Sequence, residues 1–287
     1  MITVIIPTLC ETRRRQSLLG AIESVRLASA QPVQILVVVN GQSFDAGLLA
    51  LLRAQSDLEV LQIAEASLTK AHLAGRVAVT TEFYSFLDDD DEYLPYALDF
   101  RLNVLKQDKT MDLVVTNGYA CQAGIDQLMY SRLQNVSANP LKEIFSQNWL
   151  HNCNHLFRSS SIPVKYFEDP HPYMEWTWLG FRLALDGKKI ASRSEPTFRY
   201  NDSPDSLSKS PRFVQSRVVL YSRMLGQFPD RITSQLIRRR MSAAWHDVSV
   251  VERVAGNRAK AIRAHIQSLT CHWIGLRYLS YSRHVLF

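Results

Sequence analysis

Two runs near the start of the chain, Ile2-Thr3-Val4-Ile5-Ile6 and Gln34-Ile35-Leu36-Val37-Val38-Val39, leave little choice of fold. Neither alternates apolar with polar residues, so each reads as a strand buried on both faces, which is the habit of parallel sheets covered by helices. Between them, residues 14–29 place Leu18, Leu19, Ile22 and Val25 at helical spacing. The alternation continues with a helix over 45–55, a strand over Leu58–Ile63 and a helix from a Ser67 cap to about Val79. A strand over 83–87, a helix over Pro95–Gln107 with the proline in its first turn, and a strand over 112–116 follow. The expected class is therefore α/β, a Rossmann-like and mostly parallel sheet flanked by helices. Right-handed crossovers bring the ends of strands 1, 2 and 4 to one sheet edge, where such sheets bind ligands.

The fourth of those strands ends in Asp88-Asp89-Asp90-Asp91. Four adjacent carboxylates repel one another unless a hard divalent cation neutralises part of the charge. An oxygen-only set points to Mg²⁺, Mn²⁺ or Ca²⁺ rather than zinc. The competing reading is a solvated acidic turn with Asp91 capping the next helix.

From about 120 to 207 the pattern is less regular. It holds a helix at 140–149, a strand at 152–158, a helix at 174–187 and strand-like pieces near Ile190 and Thr197–Tyr200. Residues 201–209 read as a Ser-, Asp- and Pro-rich loop, and beyond Pro211 the chain reads as helical throughout. The expected domains are 1–208, catalytic, and 209–287, a basic helical appendage. The net charge of +6 is concentrated there: after Lys209 the acids are Asp230, Asp247 and Glu252, against an excess of arginines that includes Arg238-Arg239-Arg240. That imbalance suits an anionic partner such as a membrane face. No nucleic-acid motif accompanies it.

The matching pieces, taken together, resemble the family-2 glycosyltransferases of GT-A fold. They are Val4-Ile5-Ile6-Pro7-Thr8, Ala21-Ile22-Glu23-Ser24-Val25, Ile35–Gly41, and the stretch from Glu82 to Asp91 with Leu94-Pro95. The resemblance is good over residues 1–116 and patchier to about 208. It implies transfer of a sugar from a nucleotide-diphosphate sugar to an acceptor hydroxyl, with inversion and metal assistance, in bacterial polysaccharide or glycolipid assembly. It places the metal (Mg²⁺ or Mn²⁺) and donor ribose on Asp88, Asp89 and Asp90, with Asp88 and Asp90 as metal ligands and Asp90 in direct contact. Pro7, Thr8 and the Asn40-Gly41 turn match nucleotide-contacting loops. The family often has an acid just before that turn, and here the position is Val39, so base contact falls to Glu11 or Asn40. The basic residue ahead of the aspartate strand is matched by His72 or Lys70, with Arg76 a further candidate.

An inverting displacement needs a carboxylate to take the acceptor's proton. The resemblance assigns this to Glu175, with Asp169 in Glu168-Asp169 as the alternative. First-turn dipole stabilisation is the competing role for Glu175. Trp176 is the better candidate of Trp176 and Trp178 to stack on an acceptor sugar, and His155 is placed in the acceptor pocket. His151, Cys153 and His155 would share a strand face, but with no clear fourth ligand they do not make a zinc pattern.

The acceptor implied is a saccharide or a lipid-linked one. The C-terminal mixture of aromatic and basic residues over 271–281 fits either peripheral membrane contact or packing on the catalytic domain or a second copy. No basic leader, cleavage site or long apolar run is seen, and the four cysteines are scattered, so a cytoplasmic setting, with membrane association at the inner face, is expected. The alternatives are a nucleotidyltransferase, which usually has a glycine-rich phosphate loop after the first strand, and a non-catalytic nucleotide-sugar-binding module.

Overall fold

The computed structural model describes residues 1–201 and 210–286. The expected loop at 201–209 and the domain boundary after 208 lie outside these residues, Asn201 excepted. The chain separates into two compact units: Met1–Pro170 with Arg182–Ser203, and His171–Phe181 with Pro204–Phe287.

The described residues of the first unit build a nine-stranded sheet. Its strands are β1 Ile2–Thr8, β2 Val33–Asn40, β3 Leu58–Ile63, β4 Phe83–Phe86, β5 Glu92–Tyr93, β6 Leu113–Gln122, β7 Ile125–Leu128, β8 His155–Arg158 and β9 Ile190–Asn201. The order is β3-β2-β1-β4-β8-β6-β9-β5, with β7 paired to β6. β3, β2, β1 and β4 are mutually parallel. β8 runs against both β4 and β6, so β6 and its parallel neighbour β9 share the direction of β1. β5 and β7 run the other way.

Helices α1 Arg15–Leu27, α2 Ala46–Arg53, α3 Leu68–Ala78, α4 Ala97–Gln107 and α5 Pro140–Gln147 complete this unit, with the end of α6 Glu175–Leu185. The expected apolar stripe of α1 is buried at Leu18, Ala21, Ile22 and Val25. Ser67 caps α3 as its sequence position predicts, and Asp45 caps α2 by accepting from Leu48 N at 3.0 Å.

The structure differs from expectation around Pro95. The helix begins at Ala97, with Tyr96 before it in the left-handed region at φ 61°. Glu92 and Tyr93 pair with β9, and Leu94 N donates to Thr197 O at 2.9 Å, which holds the chain extended up to the proline. β9 is one strand where two pieces were expected; register irregularities against β6 at Thr116–Asn117 and Asn117–Tyr119 interrupt its pattern.

Arg101 of α4 is fully buried. It donates to Thr116 Oγ1 (3.1 Å), His155 O (3.0 Å), Cys153 O (2.6 Å) and Thr197 Oγ1 (2.7 Å). It thereby fastens the turn leading into β8 to β6 and β9. Burial lowers its pKa, and the planar fork compensates by filling four acceptors at once.

The second unit is helical: the start of α6, then α7 Pro211–Leu225, α8 Arg231–Val254, α9 Arg258–Thr270, a 3-10 helix Trp273–Tyr281 and α10 Ser282–Leu286. Ser210 and Asp230 cap α7 and α8. α8 and α9 are joined by a turn at Gly256 and bonded through Ser249 Oγ to Ala261 O (2.8 Å) and Ser242 Oγ to Ser268 O (2.7 Å). Among the described residues no helix is long and apolar enough to cross a membrane.

Candidate active site

The ends of β1, β2 and β4 meet at one sheet edge because the three strands are adjacent and parallel. Leu87 N donates to Ile5 O at 3.0 Å, which carries the pairing one residue past β4. The chain then folds into a turn, Asp91 N donating to Asp88 O at 3.2 Å, so all four aspartates stand at this edge.

Thr8, the last residue of β1, donates from Oγ1 to Asp89 Oδ2 at 2.6 Å and accepts from Cys10 N at 2.9 Å. Asn40, the last residue of β2, donates from Nδ2 to Thr8 O at 2.9 Å. Gly41 beyond it has φ 105°, a conformation in which a side chain would be strained, and donates to Ile63 O at 3.0 Å. The expected gathering of Thr8, Asn40 and the aspartates is therefore made by direct bonds. Pro7 is buried within β1, and Glu11 pairs with Arg13 at 2.5 Å.

Two features of the carboxylates escaped the sequence reading. Arg14, the last residue of a short 3-10 helix Thr12–Arg14 after β1, places Nη1 3.1 Å from Asp89 Oδ1 and 2.6 Å from Asp90 Oδ2. Asp91 is buried rather than a helix cap: its oxygens accept from Asn152 Nδ2 and Asn201 N, both at 2.9 Å. Asn201 Nδ2 also donates to Asp90 O at 2.7 Å. Arg14 had a signal in its place among three arginines after the first strand, opposite the acidic run. Asn152 and Asn201 had none, because their partner depends on where β8 begins and β9 ends.

Burial pushes the Asp89 carboxyl up to about 6, against the opposing pull of the Thr8 hydroxyl and the Arg14 guanidinium. Asp91 is raised by burial and by Asp90 beside it. Both shifts disfavour negative charge in the cluster as it stands. Oxygens of Asp88, Asp90 and Asp91 lie within 4.8 Å of one another, an all-carboxylate set of the hardness that Mg²⁺ and Mn²⁺ prefer.

Other expected residues lie on α3 and in or just before β8. His72 is buried on α3, its ring edge-on to Phe86 at 5.0 Å, and burial lowers it to about 3. Arg76 is buried and donates to Ser159 O and Ile162 O with its guanidinium over Tyr84, while Lys70 pairs with Glu65 on the surface. His155 is buried, stacked on Phe157 at 4.0 Å with Nδ1 2.8 Å from His151 O, and burial drives its pKa well down. β8 starts only at His155, so His151 and Cys153 lie in the preceding turn and share no strand face with it.

In the second unit, Glu175 opens α6 half-buried, and its Oε1 accepts from Tyr173 N at 3.0 Å. Burial raises its pKa. Trp176 is half-buried, whereas Trp178 is buried with Arg223 4.1 Å above its ring. Asp169 is exposed in the first unit.

Residues 3–162 match glycosyl transferase family 2, more than half of the chain. The protein belongs to that family. No curated protein matches the sequence. Among solved structures, S. aureus TarS 1–349 aligns with a TM-score of 0.63 at 14% identity, over 98% of this chain and 91% of that one. Its complex with UDP-GlcNAc gives 0.64 at 13%, over 98% and 92%. A longer S. aureus TarS structure gives 0.61 at 14%, over 96% of this chain and 55% of that one. At such identity the likeness is one of fold.

Proposed function

We propose that the protein transfers a sugar from a nucleotide-diphosphate sugar to an acceptor hydroxyl with inversion at the anomeric carbon. The observation that carries this reading is the bond from Thr8 to Asp89, with Arg14 on Asp89 and Asp90. It gathers the acidic turn and the first strand end into one mouth, where a diphosphate would lie. The TarS complexes with UDP and UDP-GlcNAc make UDP the first nucleotide to try.

Asp88, Asp90 and Asp91 are the residues that would hold a divalent cation. When bound, such a cation supplies positive charge to the departing diphosphate. Thr8 fixes Asp89, and Asn152 and Asn201 fix Asp91, so the carboxylates are oriented before the donor arrives. Glu175 is the base: it takes the acceptor's proton as the acceptor oxygen bonds to the anomeric carbon. In the same step the bond from that carbon to the β-phosphate oxygen breaks, and the nucleoside diphosphate leaves with the electron pair. The raised pKa of Glu175 supports the role, since a stronger base gains more from the transfer.

The test compares UDP binding and sugar transfer, with Mn²⁺ and with EDTA, in wild type, Asp90→Ala and Glu175→Gln. Metal-dependent UDP binding should vanish in Asp90→Ala. Glu175→Gln should keep binding and lose transfer by roughly 10²-fold or more. UDP binding that ignores both Mn²⁺ and Asp90→Ala refutes the metal role, and a Glu175→Gln enzyme at full rate refutes the base.

A further inference from the structure

The helical unit carries an exposed apolar surface formed by none of the residues proposed to act in sugar transfer. In the 3-10 helix Trp273–Tyr281, three residues make a turn, so side chains three apart stand in line. One edge, Gly275, Tyr278 and Tyr281, packs inward. A Cβ on Gly275 would come within 2.0 Å of Ser268 O, Tyr278 stacks on His246 at 3.9 Å, and Tyr281 meets His246 edge-on at 4.8 Å. The next edge is Trp273, Leu276 and Leu279, which are 74%, 56% and 54% exposed.

A single exposed leucine needs no explanation, but three large apolar groups in line form a ridge. Its surroundings are basic. Arg277 lies on the third edge and Arg283 just beyond it, both exposed. Cys271 Sγ sits 3.6 Å from Arg238 O, which sets the exposed Arg238-Arg239 turn of α8 beside the start of the ridge. The acids of this stretch are engaged elsewhere: Asp247 with Arg217 at 2.6 Å, Glu252 with Gln215 and Asn257, and Asp230 in capping α8.

We infer that this ridge docks on an anionic lipid leaflet. Trp273, Leu276 and Leu279 enter the boundary between headgroups and acyl chains, while Arg277, Arg283, Arg238 and Arg239 meet lipid phosphates. A second copy of the chain is the poorer occupant. A stable interface buries about 800 Å² per partner, more than three side chains supply, and a symmetric pairing would bring like charges together.

The experiment is flotation of the full chain with vesicles of phosphatidylcholine alone or mixed with phosphatidylglycerol, alongside sedimentation velocity without lipid. The wild type should float with the anionic vesicles and not the neutral ones. L276S/L279S should lower the partition roughly tenfold or more, and Arg277→Gln with Arg283→Gln should weaken it too, with melting temperature and UDP binding unchanged. Three results would overturn the inference: no flotation with anionic vesicles, equal flotation after L276S/L279S, or a wild-type dimer that L276S/L279S converts to monomer without any lipid binding. Because UDP binding is read separately, failure here leaves the proposed chemistry standing.

Discussion

Arg14 reaches across the mouth of the sheet to Asp90, its Nη1 2.6 Å from Oδ2, and the same nitrogen touches Asp89 at 3.1 Å. A cation of the protein's own thus stands among carboxylates that would otherwise repel. Arg14→Gln should lower the stability of the metal-free protein at neutral pH by about 1–2 kcal/mol, since the pair is part-exposed and partly screened. Mn²⁺ should restore most of the loss, because it neutralises the same charges. Thermal melts in EDTA and in Mn²⁺ check this; equal losses in both would show that the guanidinium matters for packing instead.

Thr8 has both of its hydrogen-bonding roles filled in a buried position. Thr8→Val keeps the shape and leaves Asp89 Oδ2 and Cys10 N without this partner, at a cost of about 1–3 kcal/mol. Thr8→Ser should recover most of it. Urea denaturation of the two variants separates the hydroxyl from the methyl.

Glu175 gives the pH dependence a sign. Burial raises its pKa, so the carboxylate that the proposed base role requires is lost as pH falls through a value above the ordinary ~4.3 of glutamate. The acid limb of kcat/KM, measured in saturating Mn²⁺, should lie above that figure. For stability the sign is opposite: a raised pKa favours the folded state at low pH and costs it as pH rises through the folded value. Glu175→Gln should therefore melt no lower than wild type at neutral pH while its transfer is abolished.

Arg101→Lys should cost about 3–5 kcal/mol, although the charge is kept. A point ammonium cannot serve Thr116, Thr197 and two carbonyls together. Hydrogen exchange over residues 152–155 should quicken as the turn loosens. If exchange there stays at the wild-type rate, the four bonds do not hold that turn.

Three strands in the first half of the sheet are legible in the sequence because they are mostly buried and so read as nearly unbroken apolar runs. β1, β2 and β4 are found that way, and their parallel order brings Thr8, Asn40 and the aspartates together. β8 is harder to read, for it is four residues long and its partners lie forty or more residues away in sequence. β7, Ile125-Asp126-Gln127-Leu128, is exposed along its length, and four residues with apolar groups only at the two ends show no strand period. The histidines show the converse difficulty. His72 and His155 carry pocket-forming chemistry, yet Phe86 and Phe157 pack on their rings, and only the fold reveals which neighbours an imidazole has.

The placement of β8 also bears on biosynthesis. It is inserted between β4 and β6 but is translated after both. A nascent chain can complete the β3-β2-β1-β4 block while its other flank waits for residue 158 to leave the ribosome. Asp91 waits longer, since Asn152 and Asn201 arrive one after the other. The acidic mouth is thus begun early in translation and finished late, with Thr8 and Arg14 as its earliest custodians.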